Sequence, residues 1–261
     1  SRSLKLDPEE TLYDFIICKT PPDSDKEGIY VLTGICSREP YERMAKILHN
    51  AKIRTLGCDL PILCDFRLIN KMGYFDIDKT YILINFGALF TNLSIISKKE
   101  LVFNRRISLN GHLLTKAIRD YCKTDAEKAE EYKTHYGLSA DVLSDHIIES
   151  VNIVNSNCEK MVSDIQYSLK YFSYQVTRSN ITTFDRVYIT GGASQLKGLK
   201  DFIQDRLNIE VMPLNFEGQL TVEKKKLPES YLSQEITAFV STTAGGLLWT
   251  RREVNWTAVN L

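Results

Sequence analysis

A near-continuous apolar run extends from Tyr81 to Gly87, and two further strand-like segments, 92–97 and 100–107, follow it. Such a run, ended by a polar break, is typical of a strand that is buried on both faces of a sheet. The two later segments predict further strands joined by a turn at Lys98-Lys99, so that the three would form a meander. No apolar run approaches the ~20 residues that are needed to span a bilayer.

Upstream of this run the sequence predicts a small unit of strands and helices. Pro21-Pro22 and Gly28 break the chain between two strand-like segments, and Ser37 is a suitable N-cap for the helix that follows. The predicted elements are strands at 11–18 and 29–36, a helix at 38–51, a short strand at 53–59 and a helix at 60–71.

Downstream of the meander the pattern becomes helical before strand character returns. Apolar residues from Ile147 to Phe172 hold the three-to-four spacing of a long helix, and Gly137 ends the helix before it. The predicted elements are helices at 113–121, 126–136 and 145–174, a strand at 186–190, a helix at 195–207, a strand at 210–213, a loop at 216–231 and a helix at 233–248. This order predicts one sheet interrupted by a helical insertion, as in the second half of an actin-like fold.

Composition excludes several classes of function. The 261 residues include 33 basic and 33 acidic side chains, and this balance argues against nucleic acid as a partner. The four histidines are scattered and no CxxC pair occurs, so no metal site is predicted. The six cysteines are expected to be reduced and structural.

Two glycine motifs are candidates for nucleotide binding. A buried strand, a Gly turn and a Thr-Asn pair occur in order within Ile84–Asn92, and Gly191-Gly192 separates a strand from a helix. Actin-like ATPases hold phosphates with the first arrangement and the nucleoside with the second, because glycine allows the backbone to approach the ligand. An ordinary hairpin and a tightly packed turn remain alternatives. The candidate residues are Gly87, Thr91 and Asn92 for phosphates, and Gly191, Gly192 and Lys197 for the nucleoside.

The motifs and their order resemble the PilM family of type IV pilus assembly proteins, which are relatives of the cell-division protein FtsA. The resemblance is carried by 81–97 together with 100–108 and is collinear over nearly the whole chain. Further matching stretches are 7–15, 114–118, 129–137, 168–172 and 190–199.

The resemblance implies an α/β fold of the actin-like (Hsp70/FtsA) superfamily that lacks most of the first ATPase subdomain. Residues 1–76 would form the small inserted α/β subdomain with a connecting helix, and 77–261 the second actin-like half. Within that half, 77–111 and 184–261 would form the sheet subdomain and 112–183 the helical insertion.

The resemblance also implies partners and a location. The chain is expected to be a cytoplasmic scaffold, peripheral to the inner membrane, in a type IV pilus or type II secretion platform. It would bind the cytoplasmic tail of a PilN-like inner-membrane protein, and through that platform would meet other platform proteins and a motor ATPase.

Two departures from the family pattern weaken the expectation of ATP and Mg²⁺ as cofactors. The family opens with a phosphate-binding strand and hairpin upstream of the small subdomain, and this sequence does not supply it. Asn85 stands where the family has the aspartate of an Asp-Ile-Gly strand, and an amide lacks the charge that favours a hard cation. A degenerate nucleotide site is therefore expected. The alternatives are an active ATP-hydrolysing protein and a filament-forming, FtsA-like protein.

Overall fold

The computed structural model describes residues 7–18, 30–55, 57–139, 144–176 and 183–215, together with 242, 243, 245 and 246. Apart from a strand predicted at 53–59, the strands and helices of the described residues follow one another in the order that the sequence predicts. The strands are β1 (Thr11–Cys18), β2 (Tyr30–Ser37), β3 (Thr80–Phe86), β4 (Thr91–Ser97), β5 (Glu100–Ile107), β6 (Arg186–Thr190) and β7 (Val211–Pro213). The α-helices are α1 (Arg38–Asn50), α2 (Pro61–Lys71), α3 (Gly111–Cys122), α4 (Ala126–Tyr136), α5 (Asp145–Tyr171) and α6 (Leu199–Leu207).

The main sheet has five strands in the order β5-β4-β3-β6-β7. The β3–β4 and β4–β5 pairs are antiparallel, which is the predicted meander. β6 returns after the helical insertion and pairs with β3 in parallel, and β7 extends the sheet in parallel with β6. The carboxyl ends of β3 and β6 therefore lie next to each other, a position at which open α/β sheets commonly bind ligands.

Burial on both faces explains the apolar run of β3. Ile82 and Ile84 belong to the larger core cluster, which includes α3, α5 and α6. Tyr81 and Leu83 point to the opposite face and pack in a second cluster with residues of α2. Neither face of the strand could carry charged side chains without a large desolvation cost.

The helical layer is built around α5. Its residues Val154, Cys158, Met161 and Ile165 are buried in the larger cluster at the spacing that the sequence shows. No helix within the described ranges has both the length and the apolar run needed to cross a membrane.

The β1–β2 pair forms a separate two-stranded antiparallel sheet. Ile16 and Leu32 on one of its faces pack against the second core cluster, which fixes the small sheet beside α2. Tyr13, Phe15 and Ile17 alternate onto the other face and remain exposed.

Three predicted elements differ from the structure. Residues 53–55 and 57–59 form no strand, because no neighbouring strand is available to pair with them and Ile53 is exposed. The helix predicted at 195–207 begins as a 3-10 turn, Gly192–Gln195, and becomes α-helical only at Leu199. The long helix ends in a wider π-helical segment, Phe172–Val176.

The predicted loop 216–231 and most of the helix 233–248 lie outside the described residues, although 242, 243, 245 and 246 have helical backbone.

Candidate functional site

Adjacent carboxyl ends of β3 and β6 bring three of the predicted site residues together, Asn85, Gly191 and Gly192. Asn85 lies opposite Thr190 in the parallel pair, and Gly191-Gly192 follows directly. Gly191 has φ +87°, and a Cβ built on it would lie 2.5 Å from both the Asn85 Oδ1 and the Phe86 carbonyl oxygen. Gly191 is therefore required here for its conformation and for this close approach of the two strands.

The Asn85 side chain is committed to a buried carboxylate. Its Nδ2 donates to Asp65 Oδ2 on α2 at 2.5 Å, and the Thr242 hydroxyl donates to Asp65 Oδ1 at 2.7 Å. Asp65 is only 1% exposed, so both of these donors help to satisfy a charge that has left water. The Asn85 amide thus has a structural partner within the protein.

Sequence reasoning missed Asp65, although a signal was present. Ile62, Asp65 and Ile69 have the i, i+3, i+7 spacing of one helix face, and all three are buried. An acid in the middle of an apolar stripe is a buried polar residue that must find partners. Its partners at 85 and 242 could not be identified from that spacing.

The segment around Gly245 packs closely on α2. A Cβ at Gly245 would lie 1.9 Å from the Cys64 carbonyl oxygen, so the two backbones are in direct contact. Arg67 Nη1 donates to the Gly245 carbonyl oxygen at 3.1 Å, and Arg67 also forms an ion pair with Asp59. This contact brings Thr242 to the Asp65 carboxylate.

The β3–β4 turn is joined to the amino end of α3. Gly111 N–H donates to the Gly87 carbonyl at 3.1 Å, and His112 N–H donates to the Ala88 carbonyl at 2.8 Å. The Asn110 side chain caps the next free N–H of the helix. The N–H groups at a helix start are the usual donors to an anion, and here protein oxygens already accept from them.

The remaining predicted residues divide into two groups. Asn92 lies directly opposite Asn85 in the antiparallel pair, so the two side chains share a face of the sheet. Thr91 is buried against the larger core, and its hydroxyl has no hydrogen-bond partner among the described residues. The Lys197 carbonyl accepts from the Leu138 N–H at 2.9 Å, at the end of α4. The structure thus groups Asn85, Gly87, Asn92, Gly191 and Gly192 at one end of the sheet. Thr91 lies beside them, opposite Phe86, but its side chain is on the other face of the sheet, and Lys197 lies next to the end of α4.

The surroundings of the turn are apolar rather than acidic. Leu89 is 64% exposed and Phe90 is 50% exposed, so two large side chains stand at the tip of the turn. Within the part of the chain that the structure describes, no group of three or more His, Cys, Asp or Glu residues could hold a metal ion.

The five cysteines whose side chains the structure describes are free thiols. Cys36 and Cys58 are exposed, whereas Cys64, Cys122 and Cys158 are buried. Burial is the main cause that raises the pKa of Cys64 and of Cys158 to about 12. Both therefore stay protonated at neutral pH, which fits a packing role rather than a nucleophilic one.

Solved structures with a similar fold include actin-like proteins. The PilM–PilN type IV pilus biogenesis complex matches with a TM-score of 0.74 and 23% identity over 92% of this chain and 66% of that one. MreB5 of Spiroplasma citri bound to ADP matches with a TM-score of 0.56 and 13% identity over 80% of this chain and 64% of that one. The ethanolamine utilization protein EutJ from Carboxydothermus hydrogenoformans matches with a TM-score of 0.51 and 17% identity over 78% of this chain and 58% of that one. The chain has an actin-like fold and spans less than two thirds of each of these structures.

The family assignment rests on the sequence match. No curated protein sequence matches this chain. The family model for type IV pilus assembly protein PilM matches residues 7–251, which is most of the chain. The chain therefore belongs to the PilM family of type IV pilus assembly proteins.

Proposed function

We propose that this chain is a cytoplasmic scaffold of a pilus assembly platform and binds the cytoplasmic tail of a PilN-like inner-membrane protein. Family membership and the likeness to the PilM–PilN complex support this class of partner. Such a tail would hold the chain at the inner membrane, next to the other platform proteins and the motor ATPase. The observation that carries the proposal is an apolar cavity between the small sheet and the main sheet.

The cavity has a volume of about 150 Å³. An apolar cavity of about this size holds a molecule such as benzene, so it fits one leucine or phenylalanine side chain of a peptide. Asn104 is a polar side chain at its wall that would orient the backbone of a bound segment. The apolar lining residues are Ile16, Leu32, Leu60, Ile62, Leu63 and Leu101.

The test is the binding of a fluorescently labelled peptide with the sequence of the PilN partner's cytoplasmic tail, followed by anisotropy. Ile16→Trp is expected to weaken binding at least tenfold, because the Ile16 side chain lies on the cavity side of the small sheet and an indole there would fill the space. Ile17→Trp is the matched control, since Ile17 is exposed on the opposite face of the same strand and does not line the cavity.

Equal weakening by the two substitutions would contradict a role for the cavity. If the unaltered chain does not bind the tail peptide, the proposal that it binds this tail is wrong. Circular dichroism and thermal unfolding of each variant would show that the small sheet remains folded.

We also propose that the nucleotide site is degenerate, and three features support this. The Asn85 amide donates to Asp65, so it is not oriented toward a hydrated metal ion. The first N–H groups of α3 already donate to the carbonyls of the β3–β4 turn. Leu89 and Phe90 place apolar groups at the turn where phosphate oxygens would need donors. These residues do not fit Mg²⁺-ATP, and no chemical step is assigned to them.

Calorimetric titration of Mg²⁺-ATP into the chain tests this second proposal. At tens of micromolar protein, no saturable heat is expected, and ATP is expected to leave the melting temperature unchanged. Saturable binding with a micromolar dissociation constant would contradict a degenerate site, since it would stabilise the folded chain by mass action.

A further inference from the structure

We propose that the free edge of β5, with the groove at its carboxyl end, is a second docking site that binds an extended peptide carrying two adjacent acidic residues. The site is distinct from the apolar cavity, although β5 contributes to both. Leu101 and Asn104 line the apolar cavity, whereas Arg105 and Arg106 line the groove.

The groove has a volume of about 410 Å³ and walls of different character. The exposed side chains of Leu89 and Phe90 form one wall, at the tip of the β3–β4 turn. Asp164 of α5 lies on the other side, and its carboxylate accepts a hydrogen bond from the Ser108 hydroxyl. The lining of the groove thus contains two guanidinium groups and one carboxylate that already has a partner, so the groove favours an anionic ligand.

The two arginines lie on opposite sides of the strand. Consecutive residues of a strand point to opposite faces, and the contacts agree with this. The Arg105 guanidinium carbon lies 4.9 Å from the ring centre of Tyr167 on α5, and that of Arg106 lies 4.0 Å from the ring centre of Phe90. Neither arginine forms an ion pair with a described residue. Stacking orients each guanidinium while leaving N–H donors for a carboxylate.

β5 also offers backbone groups to a ligand. It is the edge strand of the five-stranded sheet, and β4 is its one partner among the described strands. A free edge can add an extended peptide through main-chain hydrogen bonds. The side chains of an added strand alternate between faces, so two adjacent acidic residues would place one carboxylate on the side of Arg105 and one on the side of Arg106.

The same charges argue against other occupants. A second copy that paired through β5 would bring its own arginines close to these two, and like charges across paired strands are destabilising. A bilayer surface is flat, whereas Arg105 and Arg106 lie in a groove between two walls. An extended acidic peptide satisfies both the shape and the charge.

The test uses a fluorescein-labelled short peptide with a central Asp-Glu pair flanked by valines, and its Asn-Gln counterpart, each titrated with the full chain at low salt. The acidic peptide is expected to bind at least tenfold more tightly than the neutral one, and to weaken as salt is raised. The double variant Arg105→Glu/Arg106→Glu is expected to lose this preference. It is also expected to gain affinity for a Lys-Arg peptide, a result that a misfolded variant would not give.

Two controls make the outcome specific to this groove. Lys200→Glu, an exposed position on α6, changes the charge in the same direction and should leave the binding of the acidic peptide unchanged. The cavity-filling variant Ile16→Trp should also leave the binding of the acidic peptide unchanged, so the proposals for the groove and for the PilN-tail cavity are tested independently. Equal binding of acidic and neutral peptides would overturn the proposal. The chain is also sedimented with phosphatidylserine vesicles in the same series. If it sediments only when Arg105 and Arg106 are present, and the acidic peptide does not reduce this sedimentation, the ligand is a lipid surface and the proposal is overturned.

Discussion

Replacing Asn85 with aspartate is expected to lower the free energy of unfolding by about 2–4 kcal/mol, because it places two carboxylates in one site. Asn85 Nδ2 now lies 2.5 Å from Asp65 Oδ2, and Asp65 is almost fully buried. An aspartate at position 85 would remove that donor and add a like charge. Urea denaturation followed by circular dichroism would measure the loss.

An exchange of the two side chains tests whether the loss of stability comes from the paired charges rather than from a change in side-chain shape. The double variant Asn85→Asp/Asp65→Asn exchanges the amide and the carboxylate, so it restores a donor opposite an acceptor and should recover most of the lost stability. In a double-mutant cycle the coupling between the two positions is then expected to be favourable and larger than about 1 kcal/mol. Additive effects of the two substitutions would contradict the proposed pairing.

The Asn85→Asp variant should also change the pH dependence of stability. One carboxyl of the new pair would keep its proton to a higher pH in the folded chain than in the unfolded chain. The folded state then binds more protons between those two pKa values, so the variant loses stability as the pH rises through that interval. Its deficit relative to the unaltered chain should therefore shrink on acidification from pH 7 toward pH 5.

This coupling affects how the nucleotide site can be tested. Replacing Asn85 with aspartate is the direct way to supply a carboxylate for Mg²⁺ at this position. The structure indicates that this change alone creates a clash of charges with Asp65. The exchanged double variant is the better protein for a titration with Mg²⁺-ATP, because it carries a carboxylate at position 85 without a second one beside it.

Replacing Gly191 with alanine is expected to destabilise the fold by about 3 kcal/mol or more. The new Cβ would lie 2.5 Å from the Phe86 carbonyl oxygen, which belongs to a central strand and cannot move away. The φ of +87° adds the strain of a left-handed conformation. At about 2–4 °C per kcal/mol, thermal unfolding should show a clear decrease in the melting temperature.

Gly73→Ala is the matched control for this substitution. Gly73 has φ +77°, close to that of Gly191, but no atom lies within 4 Å of a Cβ built on it. Its replacement should therefore cost only the backbone strain, about 1–2 kcal/mol. The difference between the two losses of unfolding free energy gives the steric cost of a Cβ between β3 and β6. Equal losses of unfolding free energy in the two variants would contradict a steric role for Gly191.

The sequence predicted the strands of the main sheet well, and the site less completely. β3, β4 and β5 begin and end within about one residue of their predicted bounds, because burial on both faces leaves a continuous apolar signal. The predicted strand at 53–59 was wrong, because local strand character does not provide a pairing partner. Asn85, Gly87, Gly191 and Gly192 lie at one end of the sheet, and their role in nucleotide binding stays a prediction.

The amino-acid sequence by itself determined the order of the elements, the meander and the family, since each depends on patterns within one continuous stretch of chain. Only the tertiary structure decided the environment of each side chain. Asp65, Asn85 and Thr242 come from distant parts of the chain and meet in one hydrogen-bonded group. Arg105 and Arg106 are adjacent in sequence but stack on rings from different elements. Such contacts depend on burial and on distances of a few ångströms, which packing alone sets.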